Sequence, residues 1–372
     1  MLGYFALLVL FLLLFSSNFY FGIREWLRPQ DAAPLPVDVE YVRTENYFGT
    51  SFRAKMREWM KTARSVPLTS PREASIRAVL EKSNGERILV LAGGSFGGRV
   101  ENDELIYCEG DLRLPEAAVF HGEIYCLGGV ESGAGAQLQA VAADGGIVLG
   151  LDNRVSRWVD ARSKVLLRRG TTVDSRVSSM ETIELEQQVS AQSLYAPLIF
   201  TAGYRPASQS PATDGQEQQP RLAEAPAAAT GEESPAYLDG FPSSRLGADT
   251  WLVRGNLELR PGARVDSNLV VQGTLRSGAH CRFSADVKAG CVALGPDNRI
   301  SGNLVSGGAL EIGQSGQVGE SVVAERDILL RAGARVGGAG RQAVVSAGRD
   351  VKMEANVAVC GKVAAGRAVV TV

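Results

Sequence analysis

The feature that most constrains the fold is a repeat with a period near 18 residues. In the stretch VRGNLELRPGARVDSNLVVQGTLRSGAHCRF, which begins at Val253, apolar or small residues return 18 positions later. A fixed period of this length is typical of architectures in which each repeat is one supersecondary unit. The C-terminal units have their first inward positions at Trp251, Leu269, Val287, Leu304, Val322, Val345 and Val363. The earlier units have theirs at Ile106, Ile124, Val141, Val159, Val177 and Leu194, and a weaker unit is predicted to start at Ile88.

Each unit has the pattern of very short strands joined by tight corners. Apolar residues recur at offsets 0, 2, 6, 8 and often 14, and pairs two apart indicate strands with one buried face. Turn residues such as Gly255 and Asn256 separate the pairs. One such coil cannot bury its inner face alone, but coils stacked about 4.8 Å apart can. The sequence therefore predicts an all-β protein, a parallel β-solenoid, in which Leu257 stacks on Leu275.

Composition argues against several functional classes. The chain has 372 residues, a net charge of −2, two His and five Cys. No basic excess is present to neutralise phosphates, so nucleic acid is not an expected partner. Cys108 and Cys126 share one inward offset, where they are expected to serve as small hydrophobic residues. We predict no catalytic, cofactor-binding or metal-binding residues.

The N-terminal segment 1–23 has no charged side chain and is long enough to span a bilayer as a helix. A cleaved signal peptide is the alternative, but no Lys or Arg precedes the apolar run. Arg24, Trp26 and Arg28 follow it, as an interfacial belt would. Because the nearby positive charge lies after the span, the body of the protein is predicted to be cytoplasmic, with a periplasmic body as the alternative.

Residues 24–86 are predicted to hold a spacer and two helices. Phe52, Met56, Met60 and Ala63 fall on one face of a basic amphipathic helix, which could lie on anionic lipid or pack on the neighbouring domain. A second helix over 71–83 is predicted from a capping box at 70–73 and a stop at 84–85. It would form a short cap on the N-terminal end of the solenoid.

The remaining boundaries follow from composition. The first array is predicted over 87–202 and the second over 248–372. Residues 203–247 are rich in Pro, Ala, Gln, Ser and Glu and lack hydrophobic periodicity, which predicts a disordered insertion or linker. We favour one continuous solenoid in which the unit at Leu194 resumes at Trp251, with two separate solenoids as the alternative.

Three stretches resemble the bactofilins, a family of polymer-forming cytoskeletal proteins. These stretches are GNLELRPGARVDSNLVVQGTL, SGNLVSGGALEIGQSGQVGES and AGRDVKMEANVAVCGKVAAG. The resemblance covers roughly residues 88–202 and 248–372. It implies a right-handed parallel β-helix that assembles end to end into non-polar filaments, without nucleotide, at the cytoplasmic face of a bacterial inner membrane. The family usually has one β-helix of about half this length, whereas this chain has two arrays.

Enzymatic interpretations fit the pattern less well. A hexapeptide-type acyltransferase would need a strict six-residue period and a catalytic histidine, for which His121 and His280 are the candidates. A pectinase-like solenoid would need clustered carboxylates, but these fall at scattered offsets, among them Asp160, Asp174, Glu184 and Glu186. The glycine-rich run 93–98 lacks the GK[ST] ending of a phosphate loop and is predicted to be a corner of the first coil. A periplasmic or surface scaffold or adhesin is a further alternative.

The C-terminal coil carries the predicted assembly interface. A solenoid ends in a coil without a next coil to pair with, and such an edge needs a cap or recruits another chain. The chain stops at VVTV, so Val369, Val370 and Val372 are predicted to pair with a second copy. The sequence thus predicts a membrane-anchored, polymer-forming scaffold that self-associates through its coil ends and binds client proteins of unknown identity.

Overall fold

The computed structural model describes residues 46–67, 76–96, 101–205, 236–246, 249–338 and 341–372. These residues form a right-handed β-solenoid of about 14 turns with a spacing near 18 residues. Within the described residues, one α-helix, α1 (Tyr47–Thr62), precedes the solenoid, and a short 3-10 helix (Ala236–Leu238) lies between its two arrays. The β-solenoid predicted from the repeat is confirmed.

The strands are short, as the corner residues predicted. In the part of the chain that the structure describes, two strands precede the first array, β1 (Arg64–Val66) and β2 (Ile76–Glu81). The first array comprises β3 (Arg87–Leu91), β4 (Gly94–Ser95), β5 (Glu101–Asn102), β6 (Leu105–Cys108), β7 (Leu112–Leu114), β8 (Val119–Phe120), β9 (Ile124–Cys126), β10 (Val130–Ser132), β11 (Gln137–Leu138), β12 (Val141–Ala143), β13 (Ile147–Leu149), β14 (Arg154–Val155), β15 (Trp158–Ala161), β16 (Val165–Leu167), β17 (Thr172–Ser179), β18 (Thr182–Leu185) and β19 (Ser190–Thr201). After β20 (Ser243–Arg245), the second array comprises β21 (Thr250–Val253), β22 (Leu257–Leu259), β23 (Arg264–Val265), β24 (Asn268–Ser277), β25 (Arg282–Phe283), β26 (Val287–Leu294), β27 (Arg299–Ile300), β28 (Leu304–Ser306), β29 (Leu310–Ile312), β30 (Gln317–Val318), β31 (Val322–Ala324), β32 (Ile328–Leu330), β33 (Arg335–Val336), β34 (Ala343–Ala347), β35 (Asp350–Met353) and β36 (Ala358–Thr371).

The register within each array is the one that the repeat predicted. Successive inward positions pair in parallel from Ile106 to Leu194 and from Trp251 to Val363. Leu257 pairs with Leu275, as expected. The first turn starts one residue later than predicted, because Leu89 rather than Ile88 pairs with Ile106.

Eleven of the coils place one corner residue in the left-handed backbone region. The coils place there Ala117, Gly135, Asp152, Gly170, Gln188, Gly262, His280, Asp297, Ser315, Gly333 and Asn356. Buried asparagines support two of these corners: the backbone N–H of Cys281 donates to Asn298 Oδ1 at 2.6 Å, and that of Ala136 donates to Asn153 Oδ1 at 2.7 Å. The position tolerates many residue types, so it gave no repeat signal in the sequence.

The inward columns form one hydrophobic core that runs through both arrays. A single cluster of buried side chains extends from Leu91 to Val369, and Cys108 and Cys126 lie in it as fully buried members. Cys126 Sγ donates to the carbonyl of Gly110 at 2.7 Å. The hydrogen bond with Cys108 and, to a lesser extent, burial raise the pKa of the Cys126 thiol. Both thiols are completely buried, so reagents in solution do not reach them.

The prediction of a second helix over 71–83 is wrong where the structure describes it. Ile76–Glu81 is strand β2, which pairs antiparallel with β3 and with β1. Ile76, Val79 and Leu80 satisfy a helical spacing, but strand β3 offers an open edge, and pairing with that edge overrides the local pattern. The N-terminal end of the first array is therefore covered by strands, and residues 70–75 lie outside the described ranges.

The predictions on the N-terminal region differ in outcome. The amphipathic helix is confirmed as α1, with Phe52 and Met56 on its buried face. The span predicted over 1–23 lies outside the described residues, and no helix within them is long and apolar enough to cross a membrane. Most of the predicted insertion, 206–235, also lies outside, whereas the 3-10 helix and β20 show that 236–245 is structured.

Candidate functional site

The two arrays meet through their C-terminal coils. Strand β19 of the first array pairs antiparallel with β36 of the second, with Leu194 opposite Val363 and Ile199 opposite Val359. All four of these side chains are buried. The prediction that the unit at Leu194 resumes at Trp251 in one continuous stack is therefore wrong: the second array runs in the opposite direction and closes on the first.

Two threonines make the same hydrogen bonds on opposite sides of this junction. Thr201 Oγ1 donates to the carbonyl of Glu354 at 2.7 Å and accepts from the N–H of Val357 at 2.9 Å. Thr371 Oγ1 donates to the carbonyl of Glu186 at 2.6 Å and accepts from the N–H of Val189 at 2.9 Å. Each hydroxyl thus satisfies two backbone groups at the end of the facing array.

The reciprocity extends to the backbone of the neighbouring corners. Gln188 and Asn356 both have φ near 60°, and the N–H of each donates across the junction, to Thr371 O and Ala202 O respectively. An interface in which the same groups meet reciprocally is isologous, the kind that a two-fold axis produces between identical subunits. Here one chain forms such an interface between its own two arrays.

The predicted assembly residues lie at this junction. Val369 pairs with Ala191 and is buried, and Val370 pairs with Ser190. The side chain of Val372 is exposed, but its N–H donates to the carbonyl of Met353 at 3.0 Å. The premise that the last coil ends in an unpaired edge is wrong, because the first array occupies that edge.

The N-terminal end of the second array is also covered. Strand β20 pairs antiparallel with β21, and Leu238 of the 3-10 helix is buried against the core. The hydroxyls of Tyr237 and Ser267 lie 3.1 Å apart and form a hydrogen bond. In both arrays, therefore, the chain that precedes the first coil supplies antiparallel strands that cover its open edge.

Helix α1 is fixed on the outer surface of the first array by a buried arginine. Arg53 forms an ion pair with Asp160 and another with Asp144 at 2.9 Å, and it also donates to the carbonyl of Ala143 at 2.7 Å. Asp160 accepts a further hydrogen bond from Ser178 Oγ at 2.5 Å. Asp160 is almost fully buried and Arg53 is its ion-pair partner, so loss of Arg53 would leave this carboxylate buried without a counter-charge.

An apolar cluster surrounds this ion pair. The ring of Phe52 lies edge-on to Trp158 at 5.5 Å between centroids and to Tyr125 at 6.3 Å, and Met56 is completely buried. Ile88, which faces away from the solenoid core, belongs to the same cluster. Of the two alternatives for the amphipathic helix, the structure shows packing on the neighbouring domain.

The other residues that the sequence singled out do not converge on one site. His121 and His280 are exposed, and each lies beside one carboxylate, Glu101 at 3.6 Å and Asp297 at 3.8 Å. Asp160 belongs to the α1 contact, whereas Asp174 pairs with Arg154 on the surface at 2.9 Å. No group of three or more metal-ligating side chains occurs in the part of the chain that the structure describes.

A groove of about 650 Å³ lies between α1, the β2–β3 turn and the first array. Lys82 sits over the ring of Trp59 at 3.7 Å, and Glu123 forms an ion pair with Arg157. Burial raises the pKa of Glu123. The groove has charges of both signs, and its aromatic ring is already occupied by Lys82, so it does not define a ligand class.

No protein-family model, curated protein or solved structure matches this chain. Sequence reasoning missed both the junction and the Arg53 anchor. The sequence did contain a local signal for the junction. Two similar stretches, LEQQV at 185–189 and MEANV at 353–357, occupy equivalent positions just before the last coil of each array. The anchor had none, because Arg53 and Asp160 are 107 residues apart.

Proposed function

We propose that this chain is a membrane-anchored structural scaffold of the bactofilin kind, built as a closed pair of β-solenoids. The observation that carries the proposal is the antiparallel pairing of β19 with β36, which joins the arrays C-terminal end to C-terminal end. The resemblance to the bactofilins implied that separate chains pair end to end, with no direction along the filament. Here an end-to-end contact of this kind is made within one chain.

The connection between the arrays is long enough for this arrangement. The second array must begin at the far end from the junction, about seven turns or roughly 34 Å away at the spacing of stacked strands. The 30 residues from 206 to 235 can span up to ~100 Å when extended. The connection is therefore long enough for the chain to close on itself.

The closed arrangement predicts a discrete particle. The C-terminal edges are paired with each other, and β1, β2 and β20 extend the sheets at the two N-terminal edges. A solenoid of about 14 turns at about 4.8 Å per turn is about 65 Å long. We propose rods of this single length, tethered to the membrane by segment 1–23, as the working form of the scaffold.

Electron microscopy of the full-length chain purified in detergent tests this proposal. Uniform solenoid particles about 65 Å long, unchanged when the protein is concentrated, are the expected result. Filaments of indefinite length would contradict the closed form and would favour the polymer that the resemblance implies. Branched or amorphous aggregates that form only after mild heating would not count as filaments.

The topology of the scaffold is tested separately. We propose that the solenoid lies in the cytoplasm, because Arg24 and Arg28 directly follow the uncharged segment. Maleimide labelling of a cysteine placed at Ser208 should then require lysed cells. Labelling of the same cysteine in intact spheroplasts would contradict this topology and would favour a periplasmic scaffold.

A further inference from the structure

One outer column of the second array is a ladder of arginines. In the parallel register Arg264 lies opposite Arg282, which lies opposite Arg299. Gln317 follows, and Arg335 lies opposite Gln317 in the next turn. Adjacent positions in this column are about 4.8 Å apart, so its five positions, four of them arginine, form a row about 19 Å long. We refer to Arg264, Arg282, Arg299 and Arg335 as the arginine ladder.

The ladder is unfavourable for the fold by itself. Like charges directly opposite each other on paired strands are destabilising. The two carboxylates on this face have other partners: Asp266 accepts from Ser284 Oγ at 2.9 Å, and Asp297 lies 3.8 Å from His280 Nδ1. Within the described residues, no carboxylate forms an ion pair with the first three arginines.

The corresponding column of the first array has no such ladder. Its members are Glu101, Val119, Gln137, Arg154, Thr172 and Ser190. Its single arginine, Arg154, is paired with Asp174 at 2.9 Å. The solenoid fold therefore does not require arginine at this position, and the ladder belongs to the second array alone.

The surroundings of the ladder suit a flat partner. The columns on either side hold mainly small residues, among them Gly262, Ser284, Ser301, Gly319 and Gly333. The arginine side chains thus stand out as a ridge. Arg282 and Arg299 border a depression of about 280 Å³, shared with His280 and Asp297, which is large enough for a phosphate group.

We infer that the arginine ladder binds the anionic phosphate groups of a lipid bilayer and lays the second array along the membrane surface. This inference rests on the proposed function in one respect, since segment 1–23 would bring the bilayer within reach. Arginine suits this role because its planar guanidinium binds phosphate oxygens in a bidentate manner. A single-stranded nucleic acid is a poorer fit, because its bases need aromatic side chains to stack on. Tyr204, at the end of the ladder, already has its ring covered by Arg335 at 5.8 Å.

The effect of each arginine can be estimated. A basic residue close to an anionic leaflet strengthens the contact about fivefold, so replacing three of them should weaken it about 100-fold. The variant R264Q/R282Q/R299Q removes the charge and keeps polar side chains of similar reach. It should fold as well as the parent, because it relieves the repulsion within the ladder.

The test uses full-length protein reconstituted in nanodiscs that contain a headgroup-attached quencher. A fluorophore is placed on a cysteine at Ser301, beside the ladder, or at Ser156, which holds the equivalent position in the first array. Discs of neutral phosphatidylcholine are compared with discs that contain about 30% phosphatidylglycerol. Parent protein labelled without either new cysteine gives the background from the five native cysteines.

The inference requires strong quenching at position 301 in the anionic discs, weak quenching in the neutral discs and loss of the difference in the triple glutamine variant. The triple lysine variant should retain most of it, and R154Q should change nothing. Equal quenching in both lipids, or quenching that survives in the glutamine variant, would overturn the inference. Protein that does not insert into either kind of disc would instead contradict the membrane anchor. The ladder would then be tested alone by co-sedimentation with vesicles of the same two compositions. Loss of co-sedimentation with the anionic vesicles in the glutamine variant would support the inference, and its survival would overturn it.

Discussion

Replacement of Arg53 by Met should release helix α1 from the first array. The variant leaves the Asp160 carboxylate buried without its cation, and breaking a buried ion pair in this way costs about 3–5 kcal/mol. Burial of Phe52 and Met56 holds the helix with about 1.5–3 kcal/mol each. The cost of the unpaired carboxylate is thus similar to the free energy by which the two apolar side chains hold the helix. Undocking of the helix becomes accessible in the variant, because it returns the Asp160 carboxylate to water.

The release should be local. The core of the first array does not include the α1 contacts, so its coils should remain folded after the helix has left. Hydrogen exchange read by mass spectrometry separates the two regions. Amides of Tyr47–Thr62 should exchange about 10²- to 4 × 10³-fold faster in the variant, as 3–5 kcal/mol implies, while those of the inner coils keep their rates.

Two further variants test whether the effect comes from the Arg53–Asp160 ion pair itself. Lys55 is an exposed cation on the same helix, so Lys55→Met is a matched control that should leave exchange unchanged. Adding Asp160→Asn to Arg53→Met should restore part of the protection, because a neutral amide can keep the bond from Ser178 without a buried charge. A change of less than about threefold in the exchange of α1 in the Arg53 variant would show that Arg53 does not hold the helix in place.

Single substitutions in the core and at the junction, and the reactivity of a buried thiol, should have measurable effects. Leu275→Asp places a carboxylate in the solenoid core and should cost more than about 4 kcal/mol or prevent folding, whereas Arg276→Ala, on the outer side of the same strand, should leave the melting curve unchanged. Thr371→Val leaves a buried N–H without an acceptor and should cost about 1–3 kcal/mol in chemical denaturation; an unchanged midpoint would contradict the reciprocal bonds. Burial raises the pKa of the Cys281 thiol, so iodoacetamide should modify the more exposed Cys291 first at neutral pH, and the reverse order in peptide mapping would be inconsistent with the structure.

The sequence predicted the parts of the fold that depend on the repeat. The inward positions from Ile106 to Leu194 and from Trp251 to Val363 follow directly from period and polarity, because a slip of one residue would turn each apolar side chain outward. The unit at Ile88 was placed one residue early because Ile88 and Leu89 are both apolar and both buried. Ile88 lies in the cluster under α1, whereas Leu89 is the residue that pairs with Ile106 of the next turn.

The parts that depend on which edges meet could not be predicted in the same way. An open edge at Val369 and Val370 was expected to recruit a second copy, since periodicity does not tell whether the partner is another chain or the same one. The strand at Ile76–Glu81 was assigned as a helix because its pairing with β3 is a tertiary contact. Arg53 and Asp160 are 107 residues apart and meet through the packing of α1 on the first array, so no local pattern links them.

The central claim, that one chain closes its two arrays on each other, is tested most directly by a disulfide across the junction. Ser193 and Ala364 are opposite each other in the antiparallel register, within the Cα separation of about 4.4–6.8 Å that a disulfide requires. Ser346 lies one strand further, so a cysteine pair at 193 and 346, about 10 Å apart, is the matched control. Oxidation of the S193C/A364C variant should give an intrachain bond and a product of single-chain size at every protein concentration, while the control pair stays reduced. Dimers or ladders of linked chains that increase with concentration would contradict the account.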